Sequence, residues 1–144
     1  MITIDPALWS RLHGASVHFP IALTLASLLF EGLEFLSPRM SSLKTQLHAA
    51  ARFTIILGAL GTIPAVCSGM LMTRGNPWGH DALLLHHLFV WPAFAGLVGL
   101  GTWRGLVGDP ASRTGLAIYL TVLFLVTGLM AGAGYWGGEL VLNS

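Results

Sequence analysis

Charge is scarce in this chain. Asp, Glu, Lys and Arg make up 9% of its 144 residues, where a soluble domain carries roughly 25%. So few charges cannot clothe a water-soluble fold of this size, and 54% of the residues are hydrophobic. The net charge is +1 and the cations are scattered, so no basic patch exists to neutralise phosphates and nucleic acid is excluded as a partner. Cysteine is nearly absent. Cys67 stands alone in an apolar stretch, which excludes an internal disulfide, a CxxC metal motif and covalent haem attachment through CxxCH. Also missing are a P-loop, GxGxxG after a strand, HExxH and GxSxG, so hydrolase and kinase chemistry have no footing. The opening "MITIDPALWS" has neither a basic n-region nor an A-x-A site, and the first apolar run is expected to stay as a membrane anchor.

What the chain has instead is apolar length. Four stretches, at about 17–36, 49–72, 82–106 and 116–136, reach the roughly 20 residues a helix needs to cross a bilayer. The backbone of each must satisfy its own polar groups in lipid, so the stretches are read as helices. The expected fold is all-α: a single-domain, up-down, four-helix transmembrane bundle over 1–144. A short interfacial helix is expected ahead of the first span, capped by Asp5, started by Pro6 and ended by Gly14, with Ser16 capping the span itself. Glycines at 58, 61, 96, 99, 128 and 132 suit close helix approach, a homo-oligomeric contact or a flat cofactor lying against the backbone.

Orientation follows from the loop cations. Arg39, Lys44, Arg52, Arg104 and Arg113 lie on one side, and only Arg11 and Arg74 on the other. The richer side is expected to face the cytoplasm. Both termini then face outward, to the periplasmic side if the membrane is a bacterial inner membrane.

Six histidines are threaded through this topology. His13, His18, His80, His86 and His87 gather at the outer end, and His48 alone lies at the inner end. Helices one and three of such a bundle face each other diagonally, so His18 and either His86 or His87 are expected to meet. Ala93 and Gly96 lie nearer the face of His86. Two opposed imidazoles across a bundle suit the axial ligation of a b-type haem. The same residue type suits a transition-metal ion held by His13, His18, His80 and His86, or the handling of protons. A structural reading also stands, in which these rings bond loop carbonyls and lipid headgroups. Two carboxylates, Glu31 and Glu34, share one face of the first span near its inner end, opposite His48 and Arg52. They are read as a Glu–Arg interfacial pair that pins the hairpin, or as a proton path from the cytoplasm for quinone chemistry. Glu139 lies just past the outer end of span four, where it could orient a histidine.

The stretch Val17-His18-Phe19-Pro20-Ile21-Ala22-Leu23, with His13 before it, a histidine near the start of the third span and Gly137-Gly138-Glu139-Leu140-Val141 at the end, resembles the bacterial membrane family known as domain of unknown function 2231. Gly14 stands where that family usually has proline. The resemblance covers nearly the whole chain. It implies a four-helix membrane protein, and it raises the redox reading through relatives similar to respiratory accessory proteins. The leading expectation is electron transfer by one haem b near the outer face, ligated by His18 and His86 or His87. Its partner would be quinol, a periplasmic cytochrome or a larger redox complex. The alternatives are a non-catalytic accessory or assembly subunit without cofactor, and a metal-ion or proton-handling membrane protein; whether the chain is an enzyme stays open.

Overall fold

The computed structural model describes residues 6–36, 41–110 and 112–142. Four helices follow one another: α1 (Pro6–Leu36), α2 (Ser41–Met72), α3 (Asp81–Thr102) and α4 (Arg113–Leu142), with a π-helical turn, Trp103–Val107, closing α3. All four are long and apolar enough to cross a membrane, over Ala7–Leu36, Ser42–Met72, Asp81–Val107 and Thr114–Leu142. Asp5, the expected cap, and Arg39, one of the loop cations, lie outside the described residues.

The expected break at Gly14 is absent. The short interfacial segment and the first span are one continuous helix, and Ser16 donates its hydroxyl to the His13 carbonyl inside that helix (3.1 Å) instead of starting a new one. A glycine in a helix interior costs only about 1 kcal/mol. Interrupting the backbone hydrogen-bond ladder beside an apolar phase costs more.

Neighbouring helices run antiparallel in the order α1, α2, α3, α4 around the bundle. α1 packs along α2 and α3 along α4; α2 meets α3 less extensively, and α1–α4 is the loosest seam. The core is Ile55, Leu97, Leu100, Tyr119, Leu123 and Val126, supplied by α2, α3 and α4. Large apolar side chains such as Leu25, Leu29, Phe53, Ile63, Phe124 and Leu125 are exposed on the outside. That surface is suited to lipid, not water, and the bilayer is the environment these helices require. Gly101 sets the α2–α3 spacing: a Cβ there would collide with the Ala59 side chain. Gly99, two residues away, has open space where its Cβ would be.

At the end away from the termini, a polar cluster fastens the bundle. The π turn carries one extra residue per hydrogen-bonded ring, seen in the bond from Gly108 N–H to the Trp103 carbonyl (3.0 Å). Gly108, at φ +88°, ends the turn in a conformation that favours glycine. The turn places Arg104 inside, 1% exposed. Its Nη2 donates to Glu31 of α1 (2.8 Å) and its Nη1 to Asp109 (2.7 Å). Its guanidinium lies 5.0 Å from the centroid of the Tyr119 ring of α4. His48 of α2 bridges the other oxygen of Asp109 (2.8 Å) and Glu34 of α1 (3.1 Å). The expected partner of the two carboxylates was Arg52, and Glu34 meets His48 in its place; Arg52 does not fill that role. It makes no ion pair among the described residues. Arg52 follows the buried Ala51 by one residue, about 100° around the helix, so it is turned off the packed face.

Two outcomes follow. Gly101→Ala should destabilise the bundle by about 1–3 kcal/mol through overpacking, while Gly99→Ala should change stability by less than about 0.5 kcal/mol. Arg104→Met, which strands the buried Glu31, should cost about 3 kcal/mol or more, and adding Glu31→Leu should recover part of that loss. Thermal unfolding in detergent micelles checks both series.

Candidate functional site

At the opposite end, which carries both termini, three imidazoles lie in a chain. The ring centroids of His13 (α1) and His86 (α3) are 6.4 Å apart with planes at 83°. His86 and His87 are 5.6 Å apart, and His87 is 6.1 Å from Trp91. Trp91 is itself anchored, donating its indole N–H to the Pro77 carbonyl (2.8 Å).

Each imidazole is held through the same atom. Nδ1 of His13 donates to the Ala65 carbonyl of α2 (3.0 Å). Nδ1 of His86 donates to the Ala133 carbonyl of α4 (2.8 Å). Nδ1 of His87 donates to the Trp78 carbonyl in the α2–α3 loop (2.9 Å). A carbonyl only accepts, so Nδ1 donates in all three, and Nε2 is the ring nitrogen left for another partner. Such second-partner bonding is how proteins orient metal-ligating histidines and raise their basicity. Glycines make room for the rings. A Cβ at Gly69 would stand 3.0 Å from the His13 ring, and one at Gly137 would stand 3.3 Å from the His86 ring. Ser16 and Ser68, 3.2 Å apart, close the α1–α2 side beside His13.

His86 and His87 are adjacent on α3 and so point about 100° apart. His86 faces α4 and His13, and the buried His87 faces the loop. The expected partner of His86 was His18, and here the structure differs. His18 is exposed, bonds the Gly14 carbonyl of its own helix and takes no part in the ring chain. The reason is the unbroken α1. On one continuous helix, five residues turn the side chain by about 140°, so His13 faces inward and His18 outward. The four-histidine metal grouping is not assembled either. His80 is an exposed residue at the start of α3 whose side chain makes no cap bond, and among the described residues no three His, Cys, Asp or Glu side chains could hold a metal ion together. Glu139 is half-buried in the last turns of α4, two residues beyond Gly137. Glu31 and Glu34 belong to the cluster at the other end of the bundle.

Sequence reasoning missed His13 as the inward ring, and Arg104 as the inward cation. The one signal for His13 was spacing: it is 18 residues from Glu31, about five whole helical turns, and so on the same face.

No curated protein matches this chain, and no solved structure matches it. The sequence model of one family, described as "Predicted membrane protein (DUF2231)", matches residues 10–144. That span takes in α1 from its second turn onward, every later helix and all the histidines above, and the chain belongs to the DUF2231 family of membrane proteins.

Proposed function

We propose that this protein carries a b-type haem at the histidine end of the bundle and transfers electrons there, with His13 and His86 as the residues that would hold it. The carrying observation is the 6.4 Å separation of their ring centroids. An atom bound by two imidazole nitrogens at about 2 Å each sets the ring centroids about 6 Å apart. The Nδ1 bonds to Ala65 and Ala133 leave Nε2 as the available nitrogen on both rings.

The donor set favours haem over a simple ion. A zinc site asks the protein for three or four ligands, and the described residues offer no such group. A haem iron already has four porphyrin nitrogens and asks for two. When bound, the group supplies one-electron transfer. His13 and His86 would hold it; the Ala65 and Ala133 carbonyls keep both rings in one tautomer and enrich their basicity. Room for the flat macrocycle would come from parting the loose α1–α4 seam. That seam already holds a cavity of about 80 Å³ lined by Ile21, Thr24, Leu25, Thr127, Met130 and Ala131. The loop cations support an outward-facing site in a bacterial inner membrane, with quinol, a periplasmic cytochrome or a larger redox complex as electron partner.

The test is optical. Protein purified in detergent after expression with haem supply should show a Soret band that sharpens on dithionite reduction. His13→Ala and His86→Ala should each weaken the band and shift it to the blue as the haem turns high spin, and His18→Ala should leave it unchanged. A colourless, folded wild type overturns the proposal and favours an accessory subunit without cofactor. A high-spin shift in His18→Ala but not in His13→Ala overturns the ligand assignment.

A further inference from the structure

Beside the ion-pair cluster, and independent of the haem reading, a pocket of about 340 Å³ opens between the end of α1 and the start of α2, lined by Glu34, Lys44, Thr45 and His48. That volume is at the lower end of small-molecule sites, roughly 300–1,000 Å³. One side of the pocket is negative. Glu34 gives one carboxylate oxygen to His48 (3.1 Å), and a carboxylate has lone pairs for further donors. The other side is positive. Lys44 is exposed and makes no ion pair among the described residues. α2 begins at Ser41, about one turn before Lys44, and the positive end of the helix dipole adds to that charge. A ligand that suits both sides carries an anion and a cation close together.

The level of the pocket narrows the choice. The first span ends at Leu36, two residues past Glu34, and the second begins at Ser42, two residues before Lys44. The pocket therefore sits where hydrocarbon gives way to headgroups. Leu33, Phe35, Leu36 and Leu43, which flank Glu34 and Lys44 along the chain, are exposed and offer apolar surface beside it. A dissolved solute would use the charged sides and leave that apolar surface bare.

We propose that this pocket holds the headgroup of a phospholipid bearing a primary amine, a phosphatidylethanolamine. Its phosphate meets the Lys44 ammonium at the start of α2. Its own ammonium donates to the Glu34 carboxylate, and its acyl chains lie along the apolar flank. A choline headgroup has no N–H to donate to Glu34, and a glycerol headgroup brings no positive charge to it. The lipid joins α1 to α2 at the rim of the bundle, next to the His48 bridge.

Native mass spectrometry of the full chain, released from detergent micelles doped with one lipid at a time, tests this. Phosphatidylethanolamine should bind about threefold or more tighter than phosphatidylcholine or phosphatidylglycerol of the same chains, the scale of one exposed ion pair. Glu34→Gln should erase that preference. Lys44→Ala, which touches no ion pair of the fold, should weaken all three lipids about threefold. Soluble phosphoethanolamine, which lacks the tails, should compete at least about tenfold more weakly than the lipid. Equal binding of the three lipids, tighter binding of phosphatidylglycerol, a preference that survives Glu34→Gln, no effect of Lys44→Ala, or phosphoethanolamine competing as well as the lipid overturns the proposal.

Discussion

A guanidinium inside a membrane bundle has to be answered from within the protein, and much of this structure can be understood from how Arg104 is answered. Lipid offers no partner for a charge, so Arg104 must find its counter-ions on other elements. It finds Glu31 on α1 and Asp109 in the following loop, and it lies over Tyr119 on α4. His48 adds α2 through Asp109 and Glu34. One cation thus connects four helices that apolar packing alone would leave free to rotate, because lipid tails are as apolar as the side chains they would replace. The π turn is the local device that aims it: one extra residue in the ring rotates Arg104 inward at the end of α3.

Fixing Glu31 inward fixes the whole rotation of α1. Thr24, Ser27 and Glu31 are buried, Pro20 is buried above them, and the same helical stripe continues through Ser16 to His13. His18 falls on the other side of that stripe. The ion pair at one end therefore decides which histidine faces inward at the other end, about 27 Å away at 1.5 Å per residue. The partner ring, His86, is set independently by α4 through the Ala133 carbonyl and Gly137. The loosely packed α1–α4 seam lies between these two fixed lines.

The number of membrane spans, their order and their apolar character were legible because lipid solvation imposes a length and a composition that few other folds share. Helix ends at Leu36 and Met72 were legible too, since the apolar stretches stop there. Rotation was not. Gly14 and Ser16 read as a helix end and a helix cap, and that reading detached His13 from the helix that carries it inward. Local signals of that kind yield when the ladder on both sides is strong. Arg52 was misjudged for a related reason: proximity along α2 does not say which face a side chain takes, and a one-residue step moves it off the packed side. Arg104 could not be placed from sequence, because the π turn that redirects it has no composition signature in "TWRGLVG".

Electron paramagnetic resonance of the oxidised, haem-loaded protein tests most directly whether α1 delivers His13 and not His18 to His86. The account predicts a low-spin signal in the wild type, conversion to high spin in His13→Gly, restoration of low spin when free imidazole fills the gap, and an unchanged low-spin signal in His18→Gly. A His13→Gly protein that stays low spin without imidazole, or a His18→Gly protein that turns high spin, would contradict it.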